Sequence, residues 1–169
     1  MDAELLATFF GVLLLLGATG VIAAWTVPTV RAELQPHALA IAATVAGGAT
    51  AGSLSFSEGA GYVPCELCWW QRAAMYPIAI GLVVAALTGM KRVRRPAIVV
   101  AALGLAVSAY HVQLQLFPDQ SSFCEATNPC TGRWVEAFGW MTIPQMAGIS
   151  FALIIGLLSL PAPDPQESP

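Results

Sequence analysis

Residues 64–77 read PCELCWWQRAAMYP and stand where a polar, glycine-rich segment meets a long apolar one. The stretch contains two cysteines separated by two residues, Cys65 and Cys68. If Pro64 opens a helix, both thiols lie on one helical face, with Arg72 four residues beyond Cys68. A nearby arginine and a helix N-terminus both favour the thiolate, which is the reactive form of cysteine. We therefore expect the rest of the chain to hold this corner in place.

The composition is that of a membrane protein. The chain has 169 residues, of which 57% are hydrophobic and 10% are charged, whereas soluble domains carry about 25% charged residues. This shortage of charge predicts one compact bundle in a lipid bilayer and no large soluble domain. Four positive charges cluster within residues 91–95, between two apolar runs. Such a cluster is typical of a cytoplasmic membrane turn, so we predict no nucleic-acid partner.

Five apolar runs are separated by short polar segments. They cover approximately residues 5–30, 38–56, 65–90, 96–117 and 143–160. Because a span needs roughly 20 apolar residues, they predict an all-α polytopic bundle with five transmembrane helices. For the first run the alternative is a cleaved signal peptide, but Asp2 and Glu4 stand where that peptide needs basic residues. Residues 161–169 are proline-rich and acidic, and we expect a disordered cytoplasmic tail.

The positive-inside rule orients these runs. If the turn at 91–95 is cytoplasmic, both cysteine-bearing segments lie on the opposite, extracytoplasmic side, and the C-terminus is cytoplasmic. The second cysteine-bearing segment, 118–141, also carries aromatic residues interspersed with Arg133 and Glu136. This pattern fits a short helix on the membrane surface or an ordinary loop with interfacial anchors.

The chain has four cysteines, and the predicted topology places all of them on the oxidising side of the membrane. The two pairs could exchange disulfides, the four thiols could bind a metal such as zinc, or the pairs could form two structural disulfides. The spacing of Cys124 and Cys130 is not that of a usual metal knuckle. A Cys-x-x-Cys ring adds little chain-entropy stabilisation. The residues therefore favour disulfide exchange, and the other two interpretations stay open.

Two further residues are candidates for the site. A charged residue within an apolar run is costly unless it reaches water or a partner, so Arg72 either extends to the membrane surface or polarises a bound electron acceptor and stabilises the Cys68 thiolate. His111 lies near the outer end of the fourth run. It is either an ordinary hydrogen-bonding residue or a group that moves protons while an acceptor is reduced.

Several stretches together resemble one family. Residues 65–77 are similar to the Cys-x-Leu-Cys-Trp-x-Gln-Arg…Met-Tyr-Pro signature of the DsbB/BdbC disulfide-forming oxidoreductases. The Tyr110-His111 pair, Cys124 with Pro129-Cys130, and FGWMTIP at 138–144 also resemble this family, in the same order. The resemblance covers residues 38–160. It suggests an additional N-terminal helix with a cytoplasmic connection (1–36), a DsbB-like four-helix domain (37–160) and the tail (161–169).

The resemblance implies an enzyme of the bacterial cell membrane that supports disulfide formation in exported proteins. Such an enzyme reoxidises a DsbA-like thioredoxin-fold thiol oxidase and passes the electrons to a quinone, either ubiquinone or menaquinone. Cys65 and Cys68 would be the quinone-side pair, with Cys68 facing the quinone and Arg72 and His111 beside it.

The resemblance also implies a role for the second cysteine pair. Cys124 and Cys130 would meet the partner, and Cys124 would form the mixed disulfide. A relative of the vitamin K epoxide reductase type is a weaker alternative, because there the Cys-x-x-Cys motif follows the loop pair. A membrane metal-binding or metal-transport protein is the alternative from another class.

Overall fold

The helices follow the predicted apolar runs closely. The computed structural model describes residues 3–120, 124 and 128–161. The helices in this part of the chain are α1 (Ala3–Thr26), α2 (Pro28–Leu34), α3 (Ala38–Leu54), α4 (Glu66–Thr88), α5 (Arg94–Leu116) and α6 (Ile143–Leu158). The tail predicted to be disordered falls almost wholly outside the described residues.

Four helical segments of the described chain are long and apolar enough to cross a membrane. They are Ala3–Thr26, Pro28–Gly59, Glu66–Thr88 and Lys91–Leu116. The last predicted span, α6, has 16 residues and is therefore about 24 Å long, against about 30 Å for the hydrocarbon core of a bilayer. The predicted all-α polytopic membrane bundle is confirmed, with α6 as the short member.

The four C-terminal helices form a closed ring. α3 packs against α4 and α6, and α5 packs against the same two helices from the other side. The side chains of Leu82, Phe151 and Leu157 are buried in its interior. Gly104 lets α5 approach α6 closely, because a Cβ atom at this position would overlap the ring of Phe151. Small residues of this kind allow close helix packing in lipid.

The first helix, α1, lies outside the ring and packs against α6. The indole Nε1 of Trp25 donates a hydrogen bond to the carbonyl oxygen of Gly156, at 3.2 Å. Closer to the N-terminus of α1, a Cβ atom at Gly17 would lie 3.1 Å from the side chain of Leu153. The first apolar run therefore packs on the bundle formed by the other four.

Two connections are more helical than the sequence suggests. The chain from 31 to 37 forms the end of α2 and a 3₁₀ turn at Gln35–His37, and the proline at the first position of α2 favours this helix. At the other end of α3 the helix continues as a π-helical turn, Ser55–Gly59. The non-helical connection therefore runs only from 60 to 65. The polar segment 57–64 between the second and third apolar runs, which we expect from the sequence to be a loop, is helical in its first three residues.

A short hairpin precedes α6. Its strands β1 (Glu136–Ala137) and β2 (Met141–Thr142) pair antiparallel. Phe138 and Gly139, in the turn, have φ values of 56° and 73°, which no helix contains. The alternative of a surface helix in this segment is therefore wrong for the described residues. The positive φ values of the turn are incompatible with the helix that the amphipathic pattern suggested. The hairpin ends at Thr142, and α6 begins at the next residue.

Candidate active site

Cys65 caps the N-terminus of α4. It is the residue before the first helical position, and its sulfur accepts a hydrogen bond from the backbone N–H of Cys68 at 3.4 Å. The two sulfur atoms lie 2.9 Å apart. The helix thus begins at Glu66 rather than at Pro64, and Cys65 takes the capping position. A sulfur at this position faces the positive end of the helix dipole.

The environment of Cys65 favours its thiolate. Cys65 precedes α4 and lies outside the membrane-spanning segment. The hydrogen bond from the thiol of Cys68 lowers the pKa of Cys65 from 9.0 to about 4, against the opposing effect of burial, and His111 adds a hydrogen bond and a charge. The effect predicted for Arg72 concerns the Cys68 thiolate, whereas the causes at Cys65 are Cys68 and His111.

His111 connects the two cysteine segments. Its Nε2 atom lies 3.1 Å from the carbonyl oxygen of Cys130 and 3.7 Å from the sulfur of Cys65. Because a carbonyl oxygen only accepts hydrogen bonds, Nε2 carries a hydrogen. The His111 side chain is 2% exposed, and its Nδ1 atom has no hydrogen-bond partner among the described residues. The hydrogen-bonding capacity of this buried nitrogen is therefore unused within the described part of the chain.

The second cysteine pair is joined and lies beside the first. Cys124 and Cys130 form a disulfide; Cys130 is 1% exposed, whereas Cys124 is half-buried. The sulfur atoms of Cys65 and Cys130 and a ring nitrogen of His111 all lie within 4.8 Å of one another. The arrangement places a disulfide next to a thiolate-forming cysteine, and these are the two groups that react in thiol–disulfide exchange.

Side chains that the sequence analysis did not single out hold the loop against the helices. The amide nitrogen of Asn128 donates to the carbonyl oxygen of Pro64 at 3.0 Å. From α5, the Gln115 side chain donates to the carbonyl oxygen of Gly132 at 3.0 Å and accepts from Thr142 at 2.8 Å. Gln115 could have been found as a polar residue near the end of an apolar run, since such residues usually have a specific partner.

A cavity of about 370 Å³ lies beneath this cluster. Four of the six predicted site residues line it, namely Cys65, Cys68, Arg72 and His111. The other two, Cys124 and Cys130, lie outside its lining, on the loop. The remaining lining is mostly apolar, and helices α1, α3, α4 and α6 all contribute to it.

Arg72 is fixed in the wall of this cavity. Its Nε atom donates to the hydroxyl oxygen of Ser53 at 2.9 Å, and its Nη2 atom donates to the Ser53 carbonyl oxygen at 3.0 Å. The guanidinium carbon lies 5.2 Å from the centre of the Trp69 ring. Since a guanidinium carries five N–H donors, three remain for other partners.

This arrangement defines a class of protein, the membrane thiol oxidoreductases, because a helical membrane bundle carries a Cys-x-x-Cys thiolate next to a second cysteine pair. The model of a family described as disulfide bond formation protein DsbB matches residues 35–160, and the chain belongs to this family. The protein therefore acts in membrane disulfide bond formation as a thiol oxidoreductase, and the resemblance found in the sequence is confirmed. Membership of this family also supports thiol exchange, rather than metal binding or transport, as the role of the four cysteines.

Individual relatives agree with the family. The chain is 41% identical over 112 residues to a probable disulfide formation protein of Oceanobacillus iheyensis, covering 64% of this chain and 77% of the relative. It is 40% identical over 111 residues to disulfide bond formation protein C of Bacillus subtilis, covering 64% and 80%. A probable disulfide formation protein C 2 of Bacillus anthracis is 36% identical over 126 residues, covering 74% and 90%. No solved structure matches the chain.

Proposed function

We propose that this protein reoxidises a DsbA-like thioredoxin-fold partner and passes the electrons to ubiquinone or menaquinone. The observation that carries the proposal is the convergence of the two cysteine pairs. Because Cys65, Cys130 and His111 have ligand atoms within 4.8 Å of one another, an oxidising equivalent can pass directly between the pairs. One pair then serves the partner and the other serves the acceptor.

The less buried member of the loop pair, Cys124, receives the partner. A thiolate of the partner attacks the sulfur of Cys124, which forms a bond between the two proteins, breaks the Cys124–Cys130 disulfide and releases Cys130 as a thiolate. The second thiolate of the partner then attacks the mixed disulfide, which releases the oxidised partner and leaves Cys124 as a thiolate. Two electrons have then moved to the loop pair. The half-buried state of Cys124 and the full burial of Cys130 support this order.

The same chemistry moves the electrons inward. The Cys130 thiolate attacks Cys65 of an oxidised Cys65–Cys68 pair, and Cys68 leaves as a thiolate. Cys124 then attacks Cys130, which restores the loop disulfide and releases Cys65. A thiol of low pKa is a good leaving group, and the lowered pKa of Cys65 supports its departure at this step. The structure has the thiol pattern of this stage, with Cys124 and Cys130 joined and the other two cysteines free.

The residues of the cavity fit a quinone. Its lining is mostly apolar, while the buried Tyr76 Oη and His111 Nδ1 atoms both lack hydrogen-bond partners among the described residues. A quinone, when bound, supplies an acceptor for two electrons and two protons, which returns Cys65 and Cys68 to the disulfide. Arg72 would donate hydrogen bonds to a carbonyl oxygen, His111 would move a proton through Nδ1, and Cys68 would face the ring.

The sidedness of the enzyme is part of the proposal. Lys91 and Arg92 are exposed at the end of α4 opposite to Cys65, and the 23 residues of that helix separate the two ends by about 35 Å. The positive-inside rule then places the basic turn in the cytoplasm and both cysteine pairs on the extracytoplasmic side of the bacterial cell membrane.

The test is quinone reduction by the purified protein in detergent, with a reduced DsbA-like protein as electron donor. We expect turnover in the wild type and none in Cys68→Ser, whereas Cys68→Ser should still form the mixed disulfide through Cys124. The matched variant Cys124→Ser should lose oxidation of the protein donor but keep quinone reduction by a small dithiol. Full turnover in Cys68→Ser would contradict the assigned role. Absence of wild-type turnover together with stoichiometric bound zinc would favour metal binding instead.

A further inference from the structure

The helix that precedes the matched family region forms one wall of the cavity. The α1 residues that line it are Phe10, Leu13, Leu14 and Gly17, whose spacing places them on one face of the helix. This helix lies before residue 35, where the family match begins. We propose that α1 binds the isoprenoid chain of the quinone and thereby sets the chain length that this enzyme prefers. The inference depends on the proposed quinone-linked function.

The opposite wall of this part of the cavity is α3. Both α1 and α3 pack against α6, and residues of both helices line the cavity, which forms a mostly apolar slot between them. On the α3 side Gly48 lines the slot, and a Cβ atom at that position would have no atom within 4 Å. The slot therefore has open space along its α3 wall, next to the aliphatic side chains of α1.

The slot leads to the polar end of the cavity. The ring of Phe10 covers Gly52, because a Cβ atom at Gly52 would lie 3.3 Å from that ring. The next residue, Ser53, holds the guanidinium of Arg72 through two hydrogen bonds. A molecule whose polar ring is held by Arg72 would therefore pass Phe10 as soon as it extends into the slot.

The dimensions and chemistry of the slot suit a long apolar chain. Phe10 and Gly17 are seven residues apart and are therefore separated by about 10 Å along α1. Between them α1 presents only Leu13 and Leu14 to the cavity. This surface offers no charge or hydrogen bond to a second polar group, whereas an isoprenoid chain gains from removal of apolar surface from water and from close packing.

The chain offers a matched pair of variants, because Phe10 lines the cavity and its neighbour Phe9 is 57% exposed and does not. With a quinone that carries a long isoprenoid chain, we expect Phe10→Ala to raise KM by about tenfold. With a quinone that carries one isoprene unit, KM should stay within about twofold of the wild type, as should kcat for both quinones. Phe9→Ala should behave as the wild type with both.

A second measurement does not depend on turnover. A quinone with a photoreactive azide at the end of its isoprenoid chain is crosslinked to the wild-type protein, and the labelled peptide is identified by mass spectrometry. We expect label within residues 3–26. Label restricted to α3 and α6 would overturn the assignment, and so would an equal KM change for long and short chains in Phe10→Ala. If the wild type reduces neither quinone, the proposed function fails, which is distinct from these outcomes.

Discussion

The acidity of Cys65 gives the sharpest test of the site. The hydrogen bond from Cys68 is the largest cause of its low pKa, and His111 contributes next among the favourable causes. The variant Cys68→Ala removes the donor, whereas Cys68→Ser keeps a hydroxyl at the same place. We therefore expect a higher pKa for Cys65 in Cys68→Ala and a pKa well below the ordinary value in Cys68→Ser.

The expected effect is large. At pH 6 a thiol with a pKa of 4 is about 99% thiolate, whereas one with a pKa of 9 is about 0.1% thiolate. Because the sulfur atoms are 2.9 Å apart and the His111 nitrogen is 3.7 Å away, loss of the Cys68 donor leaves only the weaker contact. The alkylation rate of Cys65 at pH 6 should then fall at least about tenfold in Cys68→Ala.

The assay uses a background with Cys124→Ser and Cys130→Ser, so that Cys65 is the only cysteine once Cys68 is replaced. The rate of alkylation by iodoacetamide is followed as a function of pH, over a range that extends at least one unit below pH 4 and one unit above pH 9, and its midpoint gives the pKa of Cys65. The thiolate is lost as the pH falls through this midpoint, so the rate should be constant above it. A midpoint near 4 in Cys68→Ala, or near 9 in Cys68→Ser, would refute the assignment of the hydrogen bond as the cause.

Three further variants test the packing and the cavity. Gly104→Ala should lower the free energy of unfolding by about 1–3 kcal/mol in thermal unfolding in detergent, because the new Cβ atom would overlap the ring of Phe151. Gly48→Leu should raise the KM for quinone by at least about tenfold, since it fills the cavity, whereas Gly47→Leu, which has equal space but does not line the cavity, should not. Arg72→Ala should raise the KM for quinone while the unfolding temperature changes little.

The predictions that succeeded depend on properties that a linear sequence carries. Apolar runs of sufficient length become helices because a bilayer leaves the backbone no other partner for its hydrogen bonds. The alternation of spans placed both cysteine segments at one end of the bundle. The structure then brings Cys65 and Cys130 together. The order of the spans does not predict that His111 contacts both Cys65 and Cys130, because these contacts depend on the rotation of α5 about its axis.

The features that the sequence did not reveal, or revealed wrongly, depend on tertiary contacts and on local backbone geometry. Helical spacing placed Arg72 on the face of Cys68, and both residues do line the cavity. The hydrogen bonds of its guanidinium to Ser53 of another helix were missed. The hairpin before α6 depends on positive φ values at Phe138 and Gly139, which an amphipathic pattern does not reveal. The cavity-facing side of α1 is equally hidden, because leucine residues face lipid and cavity alike.

The burial of the four cysteines explains how the proposed pathway avoids side reactions. Cys130 and Cys65 are 1% and 5% exposed, whereas Cys124 is half-buried on the loop, and Cys68 is half-buried in the cavity wall. A protein partner would therefore meet the proposed pathway first at Cys124 on the loop, whereas an apolar acceptor would meet it at Cys68 in the cavity wall. The exchange between Cys130 and Cys65 then joins the two most buried of the four cysteines. A low pKa at Cys65 is useful in this buried position, because the thiolate persists without being exposed to other disulfides.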